Sequence, residues 1–236
     1  MAQTTAFPKS QPFLDYLANF QAGLPALPLE ALLNDPKRTA IISVDVTNGF
    51  CHEGALASPR IKGTIAPIVT LFEKAWKQGV RHILLMQDTH EPEAVEFGQF
   101  PPHCVRGTAE AETVPEFKKL PFFDQMIVIE KNSINSGLDT ALNDWIAAHP
   151  TVDTFIVVGD CTDLCTYQLA MHLRLDANAR QLQRRVVMPA DCVDTYDIPV
   201  ELAKQIGAMP HDADLLHAVF LYHMALNGVE VVSRIE

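Results

Sequence analysis

The chain has no excess of positive charge. Its 18 Lys and Arg residues face 29 Asp and Glu, a formal charge of -11 at pH 7. Coulomb repulsion therefore argues against a nucleic-acid backbone or an anionic lipid surface as the main partner. It also lacks long apolar runs. The longest uncharged ones are short stretches such as Thr154 to Gly159, far below the ~18 residues that a bilayer crossing requires. Met1 to Pro12 carries a single Lys and no continuous apolar segment, so it does not read as a secretory signal and leads us to expect a cytoplasmic protein. Internal repeats, low-complexity tracts and Gly/Ser-rich linkers are missing too, and the prolines are scattered as loop punctuation. We therefore expect one domain over residues 1–236, with 1–36 as an N-terminal extension packing on it. Disulfide staples are not expected either. The chain has 236 residues and an odd count of five cysteines, so it is long enough to bury a core in a reducing compartment, where each thiol needs its own explanation.

What is present is a recurring apolar pattern. Short β-branched runs occur at Ala40–Val46, Arg81–Met86, Met126–Glu130, Thr154–Gly159, Arg185–Met188 and Val229–Val232. Each is nearly continuous in apolar residues instead of alternating, as parallel strands covered on both faces require. Helical spacing lies between them. Ile65, Ile68, Val69, Phe72 and Trp76 share one helical face, and Gly79 supplies a left-handed stop. Further helical patterns run through Leu138–Ala148, Leu164–Leu175 and Leu215–Tyr222. The expected fold is α/β, three-layered: an open, mostly parallel sheet of about six strands with helices on both faces. Ligands of such folds bind at the carboxyl ends of the strands.

The reactive residues fall at those ends. Asp45 closes the first run and Asp88 the second; Lys131 ends the third, and Gly159-Asp-Cys-Thr-Asp-Leu-Cys165 follows the fourth. An acid, a cation, metal-type ligands and a thiol would then share one crevice, which core packing alone disfavours because buried charges are costly unless paired. Cys165 opens a helix, where free N–H groups and the helix dipole favour a thiolate. Against this stands the packing role of most free cysteines. Asp45 is placed to take its proton, and Lys131 to hold that carboxylate. Asp88-Thr-His90, with Glu96 and His103 on the following loop, offers a mixed oxygen and nitrogen ligand set. Glu91 and Glu93 compete with Glu96 for the carboxylate position, and Cys104 ranks below the oxygen and nitrogen donors.

Together these blocks resemble the nicotinamidases of the isochorismatase-like cysteine hydrolase superfamily, over nearly the whole chain. They are Val44-Asp-Val-Thr-Asn-Gly-Phe-Cys51, Gln87-Asp-Thr-His90, Phe100-Pro-Pro-His-Cys-Val-Arg-Gly-Thr108, Glu130-Lys131 and Val158-Gly-Asp-Cys-Thr-Asp-Leu-Cys165. The last looks like the family's G-x-x-T-D-x-C signature. Asp194–Pro199 through His211 and Leu221-Tyr222 is most similar to plant-type members. The resemblance implies that Cys165 is the nucleophile, Asp45 its base and Lys131 the third catalytic member. It implies a cis peptide before Cys161 and an oxyanion hole from the backbone N–H groups of Cys161 and Cys165. It further implies one divalent ion, zinc ahead of manganese or iron, on Asp88, His90, His103 and Glu96, with Phe50 and Phe100 flanking a pyridine ring held at its nitrogen. The implied activity is hydrolysis of nicotinamide to nicotinate and ammonia through a cysteine thioester, a step of pyridine-nucleotide salvage.

Within the superfamily the alternative is a hydrolase of another small amide or of the isochorismate type. Outside it stand a metallohydrolase in which Cys165 is structural, and a non-catalytic pyridine-binding protein. His172, His211, His217 and His223 stay unassigned, and Trp76 and Trp145 read as core or interface. Helical edges and the segment to Pro36 are the surfaces offered to a homo-oligomer.

Overall fold

The computed structural model describes residues 9–33 and 35–236. The first eight residues of the N-terminal extension, and with them most of the segment read for a signal, lie outside the described residues.

The sheet is built from β1 (Thr39–Val44), β2 (His82–Asp88), β3 (Ile127–Lys131), β4 (Thr154–Asp160), β5 (Arg185–Pro189) and β6 (Glu230–Val232). They lie in the order β3-β2-β1-β4-β5-β6, all parallel, and a short seventh strand, Val193–Asp194, pairs with β4. Each expected strand is present to within about two residues of its sequence limits. The chain builds outward from β1 to one edge, then returns to β4 and builds to the other. Strand order thus reverses between β1 and β4, and the loops there diverge to leave a crevice.

Both faces of the sheet are buried, which explains the continuous apolar runs. Ile41, Ile83, Leu85, Ile156 and Val158 point to the face covered by helix α2 (Ile65–Lys77). Ile42, Leu84, Met86, Phe155 and Val157 point to the opposite face, under α4 (Cys165–Ala179) and α6 (Ala213–Leu226). Gly79, at φ 101°, stops α2 as its sequence position suggests.

Three of the longer helices differ from expectation, among them α5 (Val200–Ile206), which no sequence pattern announced. The pattern read over Leu138–Ala148 forms a helix only from Leu142, as α3 (Leu142–Ala148). Asp139 sits at φ 53° and Leu138 is exposed, so the preceding residues form a turn and not a first helical turn. Helix α1 (Gln11–Ala22) has no counterpart in the sequence reading. Its Phe13, Tyr16 and Phe20 surround Tyr222 of α6 edge-on, at centroid separations of 5.4, 5.8 and 5.8 Å. Farther on, Ala26–Leu27 pairs in parallel with Arg234–Ile235. No helix of the described residues is long and apolar enough to cross a membrane.

Candidate active site

Sheet register builds the charged centre. Val44 pairs with Met86 and with Gly159, and Asp88 pairs with Lys131. The carboxyl ends of four adjacent strands therefore terminate level with one another. Asp45, directly after β1, takes φ 56° and gives its N–H to Met86 O at 2.8 Å. Its Oδ1 accepts the Asp88 N–H at 2.8 Å, which fixes the carboxylate beside β2. Lys131 Nζ lies 2.8 Å from Asp45 Oδ2 and donates to Asp88 Oδ1 at 2.5 Å. The contact to Asp45 is an ion pair without hydrogen-bond alignment, so Oδ2 keeps free accepting capacity. All three side chains are buried, and one cation sits between two carboxylates.

The thiol enters from β4. Gly159 holds φ 110°, and a Cβ there would stand 2.0 Å from Val44 O, so only glycine allows β1 and β4 to approach this closely. The Asp160–Cys161 peptide is cis, as the resemblance implied. The Leu164 and Thr166 N–H groups both turn back to Cys161 O, at 3.1 and 3.2 Å. Cys165 between them is the first residue of α4, a position whose N–H has no partner within the helix. One donor atom from each of Asp45, Asp88 and Cys165 forms a set in which all lie within 4.8 Å of one another.

The protonation state differs from the one read off the helix terminus. Burial pushes the Cys165 thiol well above its ordinary value; Lys131 pulls it back in part, while Asp45 and Asp88 push it further up. The resting group is a thiol. Burial and the neighbouring Asp88 charge also raise Asp45, to about 6, against the pull of Lys131. Asp88 moves the other way. Burial would raise it, yet Lys131, His103 and His90 outweigh that and hold it well below the carboxylate range.

A second group lies on the far side of Asp88. His90 Nε2 and His103 Nε2 stand 3.5 and 3.7 Å from Asp88 Oδ2 and 3.2 Å from each other. A parallel bridge between His90 and Val105 pins the two segments, with His90 N–H on Cys104 O at 3.0 Å and Arg106 N–H on His90 O at 2.8 Å. Each imidazole engages its other nitrogen elsewhere: His90 Nδ1 with Asn132 Oδ1 and His103 Nδ1 with Pro101 O, both at 2.8 Å. This orients both Nε2 atoms toward Asp88 and leaves them as ligands, so the donor set fits a divalent ion of zinc, manganese or iron type.

Glu96 lines the same cavity but stands outside this compact set. Its rivals are settled in part, because Glu91 pairs with Arg106 at the surface. Cys104 is no part of the set; its Sγ packs 3.5 Å from Thr47 Oγ1. All five cysteines are free and buried.

Phe50, Phe100, Asp88, His103 and Cys165 share the lining of one cavity, with about 430 Å³ of open space including its mouth. The Phe50 and Phe100 rings lie 5.5 and 6.3 Å from the His103 ring. Several contributors were given no role by the sequence. Phe97 packs edge-on against both imidazoles, at 5.4 and 5.7 Å. Asp163 accepts from Thr195 Oγ1 at 2.6 Å and pairs with His211 Nε2 at 2.7 Å, while Thr162 Oγ1 meets His217 Nδ1 at 2.9 Å. These bonds fix the loop that leads into Cys165 and give His211 and His217 structural work.

Comparison with known proteins agrees with this geometry. Residues 39–234 match the isochorismatase domain family. The chain is 31% identical to Nicotinamidase 1 of Arabidopsis thaliana over 220 residues, covering 86% of this chain and 89% of that protein. In fold it is similar to a cysteine hydrolase from Pseudomonas syringae pv. phaseolicola, with a TM-score of 0.67 at 21% identity over 88% of this chain and 92% of that one. It is also similar to the pyrazinamidase/nicotinamidase of Streptococcus mutans, with a TM-score of 0.64 at 20% identity over 82% and 99%. A sheet register that brings an acid, a lysine and a thiol together beside a histidine pair thus occurs in a chain that belongs to the isochorismatase family.

Proposed function

We propose that this chain, acting as one hydrolase domain, is a nicotinamidase that converts nicotinamide and water to nicotinate and ammonia. The observation that carries the reading is the buried cluster of Asp45, Lys131 and Cys165 beside the Asp88–His90–His103 set. The 31% identity to the Arabidopsis nicotinamidase favours nicotinamide over other small amides. Cytoplasmic pyridine-nucleotide salvage is the setting that this activity implies.

The steps follow from the groups in place. Phe50 and Phe100 hold the ring so that the carboxamide carbon faces Cys165 Sγ. Asp45 takes the thiol proton and sulfur adds to the carbonyl carbon, placing negative charge on oxygen. The backbone N–H groups of Cys161 and Cys165 receive that oxyanion; each such donor supplies roughly 3 to 4 kcal/mol to comparable reactions. Asp45 then delivers its proton to the departing nitrogen, ammonia leaves, and a thioester remains on Cys165. Asp45 next accepts a proton from the water that cleaves the thioester, releasing nicotinate and the thiol. Lys131 keeps both carboxylates aligned throughout. Asp88, His90 and His103 would hold a divalent ion, zinc foremost, whose bound charge supplies an electrophilic anchor for the pyridine nitrogen and polarises water.

Ammonia release from nicotinamide, with and without chelator and again with Cys165→Ala, tests the proposal. Turnover at the wild-type rate in Cys165→Ala would eliminate the covalent route, and no ammonia from metal-replete protein would eliminate the activity.

A further inference from the structure

One buried side chain of the cavity has no part in these steps. Asp160 is 1% exposed, and its Oδ2 has no hydrogen-bond partner among the described residues. Oδ1 has only the Cys161 thiol, at 4.0 Å. The residue is part of the lining of the cavity that holds Cys165, to which the apolar Phe50, Leu56, Ile61 and Leu164 also contribute. Packing would be served better by an aliphatic residue, because a buried carboxyl without a partner opposes folding.

Burial, with the negative charges of Asp45 and Asp88 behind it, keeps the Asp160 proton well above the usual carboxylate range despite Lys131. A protonated carboxyl offers one O–H donor and one carbonyl acceptor. Within the protein it uses neither fully. What fills the cavity can supply its complement, and nicotinamide's own polar groups are already assigned: the carboxamide to the Cys165 end, the ring nitrogen to the histidine end.

We propose that Asp160 is a specificity-determining residue that hydrogen-bonds a hydroxyl or amino substituent on the substrate ring, so that substituted aromatic carboxamides are substrates of this site. This rests on the hydrolase reading for its location but makes a separate demand. A hydrogen bond to a polar substituent adds to the binding of the substituted ring, so the site takes such rings beside nicotinamide and loses that gain when Asp160 is replaced.

The test compares nicotinamide with its 2-, 5- and 6-hydroxy and amino derivatives in the wild type, Asp160→Asn and Asp160→Leu. Two readouts are taken: kcat/KM for ammonia release, and calorimetric binding of the same amides to Cys165→Ala with and without the Asp160 change. The expected result is that kcat/KM for at least one substituted ring, taken relative to nicotinamide, falls about 10-fold in Asp160→Leu and less in Asp160→Asn. Comparing substrates within one variant cancels any general loss of folded protein. A ratio unchanged in Asp160→Leu for every derivative, or a wild type that neither hydrolyses nor binds any derivative, overturns the proposal. If no amide is hydrolysed while the binding preference behaves as described, the hydrolase reading falls and the Asp160 contact stands.

Discussion

Replacing Lys131 with methionine removes the single cation between two buried carboxylates while keeping most of the side-chain volume. In the wild type Nζ lies 2.8 Å from Asp45 Oδ2 and 2.5 Å from Asp88 Oδ1. Without it, two like charges whose oxygens lie within 4.8 Å of each other face one another in a dry site. At an effective dielectric constant near 20 that repulsion is about 3 kcal/mol, in line with the 3 to 5 kcal/mol typical of a broken buried pair. The cheapest relief is a proton on Asp45, whose pKa is already raised to about 6. Loss of the Lys131 pull raises it further, and this fixes the sign of the pH dependence. A carboxyl whose folded pKa lies above its unfolded value binds a proton on folding, so its contribution is present at low pH and lost as pH rises through the folded pKa. The wild type completes that loss near pH 6, whereas the variant continues to lose stability above it. The destabilisation of Lys131→Met should therefore grow between pH 6 and 8, by up to about 1.4 kcal/mol per pH unit. Urea denaturation of both proteins across that range measures it, and Asp45→Asn combined with Lys131→Met should remove the slope. A cost below about 0.5 kcal/mol, or one flat in pH, would refute the claim that Lys131 compensates these two carboxylates.

Two further outcomes follow from the geometry. Asn132→Ala frees the His90 ring from its 2.8 Å anchor and should weaken divalent-metal affinity about 10- to 100-fold, read by competition with a metal indicator. Gly159→Ala must place a Cβ 2.0 Å from Val44 O at φ 110° and should cost about 3 kcal/mol or more in urea denaturation, or abolish folding.

The strands and their reactive ends were legible because both signals are local. A parallel strand buried on two faces must be apolar at nearly every position, so a charged residue ending the run, such as Asp45, Asp88 or Lys131, stands out. Other features depend on distant partners. His211 and Asp163 meet across 48 residues of sequence, with no periodicity to announce them. Helix α1 carries its aromatics to meet Tyr222, a requirement visible only once α6 is in place. The thiol shows the same division. Its place at a helix start argues for a thiolate, but burial and two carboxylates brought in by sheet register outweigh one helix terminus.

That outcome constrains the chemistry. Asp45, Asp88, Asp160 and Cys165 are four acidic groups buried near one lysine, Lys131, with His90 and His103 on the far side of Asp88. Four negative charges in a low-dielectric site exceed what Lys131 compensates, and an ion on Asp88, His90 and His103 would compensate Asp88 first, so protons stay on the groups farther from it. Asp88, stabilised by Lys131 and the histidines, gives up its proton first; Asp160 and Cys165 keep theirs. Asp45 is left as the group able to change state near neutral pH. Moving the Cys165 proton to Asp45 then relocates a negative charge without creating one. The burial penalty that makes the resting thiol a poor nucleophile is thereby offset in part, because Asp45 gives up a buried charge as Cys165 takes one, and Lys131, within reach of both carboxylates, need not move. A thiol that would be inert in an apolar core becomes usable because its base lies inside the same buried charge balance.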